Sequence, residues 1–184
     1  MTSAQEEAKV RFLATLEIAR RELALLEYSH SKLFTVTIDP HWVKQLSTDM
    51  EAGETLEAFV ARFGRFQDTV GGKLIPRALT TQLEKPGSMI DNLSRAEQLG
   101  WLTDTEAWVA IRELRNRLVH EEVTDPRRFA ADIHAAGGFV PMLRNTYESL
   151  LQLAQDRLGV AEHQLQHYLQ PSTSSGKPPG ADRN

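Results

Sequence analysis

Apolar residues in this chain recur almost everywhere at the three-to-four-residue spacing of an α-helix, and one short segment breaks that rule. Thr35-Val36-Thr37-Ile38 is the only β-like run, closed by the turn-forming pair Asp39-Pro40. A strand needs a partner for its backbone groups, and the sequence offers no second run of this kind. The segment therefore reads as a connector, and folds built on a sheet drop out. An all-α fold remains, an antiparallel helical bundle of about five helices.

Helix boundaries follow from local chemistry. The first helix runs from about Ser3 to Leu33, with Val10, Leu13, Leu16, Ile18, Leu23, Leu26 and Leu33 as its apolar positions. A second begins after Gly53 and buries Leu56, Phe59, Val60, Phe63, Phe66, Val70 and Leu74; Gly71-Gly72 and Pro76 predict a kink near its end. Ser88 is an N-cap with Asp91 in the first turn of a third helix, and Gly100 is its C′ residue. Thr103-x-x-Glu106 reads as a capping box for a fourth helix that runs to about His120. Asp125-Pro126 opens a fifth, which Gly137-Gly138 and Pro141 are expected to interrupt or bend. Residues 1–170 form one domain on this reading, and the Pro/Ser/Gly-rich tail 171–184 lacks the apolar side chains to pack and is expected to be disordered.

Composition narrows the chemistry. With 184 residues the chain can bury a full core without staples. It has no cysteine, which removes thiol nucleophiles, thiolate zinc sites and iron–sulfur ligation together. A net charge of −4 argues against coating nucleic acid by bulk charge, although a local basic patch remains open. No apolar stretch is long enough for a membrane span, and the acidic start Gln5-Glu6-Glu7 is unlike a signal peptide. The expectation is a cytoplasmic protein with no membrane partner.

The fourth helix carries the most chemistry. On a wheel at about 100° per residue, Arg115 falls inside the arc occupied by Trp108, Ile111, Leu114, Leu118 and Val119. A guanidinium brought into such a setting costs several kcal/mol unless an anion or a set of acceptors receives it. Arg112, Asn116 and His120, spaced i, i+4, i+8, line the neighbouring flank, and His120 lies at the helix C-terminus, where the macrodipole favours its protonated form. Arginine can hold a phosphate in a fork and histidine can move protons near neutral pH, which are the parts needed to cleave RNA without a metal. An ion pair between Arg115 and a carboxylate of another helix, with His120 as a simple C-cap, accounts for the same pattern.

Arg115-Asn116-Arg117-Leu118-Val119-His120 resembles the Arg-polar-x-x-x-His signature of the HEPN superfamily of small all-α proteins. The preceding run, Ser88 to Leu93, Gly100-Trp101-Leu102 and Trp108 to Asn116, is similar to that of HEPN toxins paired with a minimal nucleotidyltransferase antitoxin. The resemblance covers roughly residues 55–158. It implies a metal-independent endoribonuclease toxin with no cofactor, working as a homodimer whose motif helices meet in a composite cleft. Carried over, it makes Arg115 and His120 the catalytic pair, Asn116 the polar residue beside them and Arg112 an aid to substrate binding. RNA is then the substrate, and a nucleotidyltransferase-type antitoxin a partner. The paired toxins commonly carry a modifiable tyrosine two residues after the histidine; here Glu122 stands there, so that modification is not expected. The resemblance leaves a second role open, a non-catalytic subunit that docks a nucleotidyltransferase or its substrate. Glu121 and Glu122, acidic beside the cleft, lean toward it.

Two weaker signals complete the reading. Arg62, Arg65, Lys73 and Arg77 border the apolar face of the second helix and could follow a nucleic-acid backbone or simply be a solvated flank. His163 and His167 have the i, i+4 spacing of a helical metal pair, but no third ligand stands near them, and no metal is expected.

Overall fold

A computed structural model describes residues 2–120 and 124–169, the side chain of His120 excepted. The expected disordered tail, residues 171–184, lies outside the described residues. The described chain is all-helical. Its α-helices are α1 (Ser3–Leu33), α2 (Pro40–Gln45), α3 (Met50–Thr69), α4 (Ile75–Thr81), α5 (Met89–Gln98), α6 (Thr105–His120) and α7 (Pro126–Leu158). A π-helical turn, Val70–Leu74, joins α3 to α4, and a 3₁₀ helix, Glu162–Leu169, follows α7.

Thr35–Ile38 is a connector, as the missing partner strand requires, and it delivers the chain into the short helix α2, capped by Asp39 with Pro40 in its first turn. Asp49 caps α3, so this helix starts ahead of Gly53 rather than after it. Ser88 and Asp91 form a reciprocal capping box on α5, and Gly100 takes the left-handed conformation (φ 76°) that ends it. At α6 the expected Thr103 box is not what forms. Asp104 accepts from the Ala107 N–H at 2.9 Å, while Glu97 on α5 receives the Thr105 N–H at 3.0 Å. An aspartate one residue on, with a longer reach and a full charge, displaces the threonine.

The two proline–glycine signals resolve differently. Pro76 has no N–H to return to the carbonyl four residues back; there the helix widens, and the Ile75 N–H reaches the Val70 carbonyl across a π turn. Pro141, by contrast, does not interrupt α7, which runs unbroken through Gly137, Gly138 and Pro141. The carbonyl that Pro141 cannot serve belongs to Gly137, whose backbone lies close to the His30 imidazole of α1. Gly137 also gives the Phe34 ring its place, since a Cβ there would overlap the ring.

The core lies where α1, α3 and α7 meet. Phe12, Leu16, Phe59, Phe63, Phe66 and Leu143 are fully buried there, each contributing on the order of 1.5–3 kcal/mol. α6 closes the bundle against α3 and α7, with Trp108 buried. On α1 two expected core positions, Val10 and Ile18, are instead 40% exposed. Phe12, half a turn away, takes the buried face, because α3, α4, α7 and the 3₁₀ helix enclose α1 from one side only. Among the described residues, no helix is long and apolar enough to cross a membrane.

Candidate functional site on the flank of α6

α6 is held to α3 and the π turn after it by contacts that need glycine. The Trp108 indole lies against Gly71, where a Cβ would stand 2.9 Å from Nε1, and the Arg115 stem crosses Gly64, where a Cβ would stand 2.7 Å from Nε. Gln67, buried between them, donates from Nε2 to the Trp108 carbonyl at 3.4 Å. Arg117 secures the other side of α6 through a two-point pair with Asp132 of α7, at 3.0 and 3.1 Å. So α6 is clamped between α3 and α7, and its remaining flank is free to carry polar groups.

Arg115 uses that arrangement. Its aliphatic stem fills the notch over Gly64 and its guanidinium emerges at the surface, leaving the side chain 31% exposed. Nη1 donates to the Asn116 Oδ1 at 3.2 Å, and Nη2 donates to Asp68 of α3 at 3.4 Å. Arg115 therefore stands within the apolar arc by its stem and outside it by its charge. Asp68 is more than half exposed, so the pair is loose and solvated.

The structure brings together Arg115 and Asn116 and does not bring Arg112 to them. Arg112 turns toward α5, where its Nη1 lies 2.7 Å from the Met89 Sδ. Its separation from Asn116 along the helix is as the spacing predicts, but its guanidinium points to a different neighbour. His120 is the last residue of α6, one helical turn past Asn116. Its side chain, and Glu121 and Glu122, lie outside the described residues.

Sequence reasoning missed Gly64 and Asp68. The available signal was a glycine inside a strong helix pattern, between Phe63 and Phe66, which marks a close approach by another element. Beyond Asp68, Glu22 of α1 adds a half-buried carboxyl with Oε2 buried and unpartnered; burial raises its pKa, against the lowering effect of the nearby Thr69 and of the charges of Arg65 and Lys73.

The basic stripe does not survive as a surface. Arg62 is spent on the Ser29 hydroxyl and the Leu25 carbonyl, and Arg77 on the Thr15 hydroxyl, so both tie their helices to α1. His163 and His167 lie on a 3₁₀ helix, whose three-residue repeat turns i and i+4 apart. Among the described residues no group of three or more His, Asp or Glu could hold a metal ion.

Fold and site together define an all-α bundle with an arginine–asparagine–aspartate cluster on the flank of one clamped helix. Comparison with protein-family models, with curated proteins and with solved structures finds no match to this chain.

Proposed function

We propose that the chain is a HEPN-type endoribonuclease toxin that cleaves RNA at the α6 flank without a metal, as a homodimer with two motif helices lining one cleft. The observation that carries this reading is the path of Arg115: a stem seated in a glycine notch, with a guanidinium delivered beside Asn116 and one turn from His120. A cation fixed by its stem and only loosely paired at its head is suited to exchange Asp68 for a scissile phosphate. In this mechanism His120 removes the ribose 2′-hydroxyl proton. The oxygen then attacks phosphorus, Arg115 stabilises the charge on the phosphoryl oxygens, and the bond to the 5′-oxygen breaks as that oxygen takes a proton from water, giving a 2′,3′-cyclic phosphate. Asn116 holds the Arg115 head and substrate in place.

The test is cleavage of RNA in EDTA by the full chain, Arg115→Ala and His120→Ala, with folding verified by circular dichroism. Cyclic phosphate ends formed by the wild type and lost in both variants support the assignment; cleavage by His120→Ala at the wild-type rate overturns it. One observation favours a second reading, a non-catalytic subunit that docks a nucleotidyltransferase: a carboxylate, Asp68, already stands 3.4 Å from the Arg115 head where a phosphate would bind. That reading predicts no cleavage by the folded protein and no growth arrest when the chain is expressed alone.

A further inference from the structure

The exposed face of α1 is not an ordinary solvated flank. Glu7, Arg11, Ala14, Ile18, Arg21, Leu25, Tyr28 and Lys32 follow one another in alternating steps of four and three residues, the spacing of a coiled-coil seam. This row faces away from the core, and in its middle Ile18, Leu25 and Tyr28 are 40%, 45% and 63% exposed. A solvated helix face has no reason to keep an isoleucine, a leucine and a tyrosine in register between Ile18 and Tyr28. The charge within the row is also already managed. Arg21 donates from Nε to Glu17 at 2.7 Å, and Glu17 is itself fully buried, so the Arg21 stem lies along the seam with its head drawn aside.

We propose that this face is a homotypic interface, in which α1 packs antiparallel against α1 of a second copy of this chain. The register follows from the residues. With Ile18 set on the Arg21 stem of the second copy, Ala14 meets Leu25, and the Arg11–Glu7 pair, at 2.5 Å within one helix, lies across from the Tyr28 ring and Lys32 of the other. The two-fold symmetry repeats each pair. The small residue receives the large one, the guanidinium a ring face, and the acidic end of the helix the basic end. About 42 Å of the two helices then face each other, a span suited to a stable interface. A parallel pairing instead stacks Arg11, Arg21 and Lys32 each on its own copy. The antiparallel pairing shifted one heptad toward the C-terminus loses a full heptad of contact, and shifted one heptad the other way it sets Arg11 against Arg21.

This interface uses no residue of α6 and does not rest on the ribonuclease reading. A chain that carries both a motif-helix contact and this one has two isologous interfaces, and so assembles beyond a dimer.

The chain has no cysteine, so the register can be read directly by crosslinking. In the full-length double variant Ala14→Cys/Leu25→Cys the two positions lie about 16 Å apart along one helix, too far for an internal disulfide, but face each other between copies. Mild oxidation should convert most of this variant to a disulfide-linked dimer on a non-reducing gel. Ala14→Cys/Lys32→Cys, matched only to the shifted register, should stay monomeric on the same gel. Adding Ile18→Glu to the first pair should abolish the crosslink while circular dichroism keeps its helical signal. No dimer from the matched pair, equal dimer from both pairs, or a crosslink indifferent to Ile18→Glu each overturns the proposal. RNA cleavage does not enter the readout, so failure here and failure of the catalytic reading are separately visible.

Discussion

His30 and Phe34, four residues apart at the end of α1, hold their rings 4.7 Å apart, centroid to centroid. The imidazole also lies 6.1 Å from the Phe59 ring, and Phe34 lies 5.9 Å from the His134 ring, so the pair completes an aromatic cluster between α1, α3 and α7. His30→Ala should therefore cost about 1–3 kcal/mol, from lost ring packing. Burial holds the His30 pKa below its usual value. The unfolded chain then binds the proton first, and stability falls as pH drops from the ordinary histidine range through the lowered value. Urea denaturation of wild type and His30→Ala across pH 5 to 8 reads both the cost and its slope.

Gly64→Ala and Gly72→Ala should move stability in opposite directions. Alanine gains about 1 kcal/mol over glycine in an ordinary helix interior. At Gly64 the new Cβ meets the Arg115 Nε and Cγ, so that gain should turn into a net loss of about 1–2 kcal/mol. Gly72 has open space around its Cβ position and should keep part of the gain. Thermal melts of the two variants beside wild type make the comparison.

Asp68→Asn should act on RNA and hardly on folding. The Arg115–Asp68 contact is exposed and 3.4 Å long, so its loss should change stability by less than about 0.5 kcal/mol. Freed from a carboxylate, Arg115 becomes more available to phosphate, and RNA should bind several-fold more tightly at low salt. Filter binding over a salt series measures this, and unchanged affinity counts against Arg115 as the phosphate contact.

Two glutamates of α1 should respond to pH with opposite sign. The Arg20 guanidinium, with Arg21, holds the Glu17 carboxyl below its usual range, so Glu17 stabilises the fold above the unfolded value, and that contribution disappears as pH falls through the lowered one. Burial instead pushes Glu22 up, so the fold loses stability as pH rises through the window from the usual carboxylate value to the raised one. Glu17→Gln should weaken the protein at pH 7, whereas Glu22→Gln should strengthen it there and do little at pH 3. Denaturation midpoints at both pH values give the signs.

What the sequence made legible was the chemistry confined to neighbours along the chain. Ser88 with Asp91, Asp125 with Pro126, and Gly100 after α5 each complete their hydrogen bonds within a few residues, and each stands where the pattern puts it. The break expected at Gly137-Gly138 and Pro141 does not occur; the element that packs on this stretch, the Phe34 ring against Gly137, comes from the end of another helix and has no signature beside the proline. Arg115 shows the same limit at the site. The wheel marks it as misplaced, but both the notch that seats it and the aspartate that receives it belong to α3. The long apolar rows of α1 and α3 announce buried helices, but which face of α1 stays open depends on which helices pack against it.

The glycines at 64 and 71 and their occupants, Arg115 and Trp108, are separated by the same interval on two helices that run past each other in opposite directions. They work as two teeth of one ratchet, about 10 Å apart. The indole cannot slide from the π turn onto α3 without meeting a side chain, and if it cannot slide, neither can the guanidinium at the far tooth. The placement of the surface cation is thus inherited from the depth of a buried tryptophan, and any change that unseats Trp108 relocates the charge without touching it.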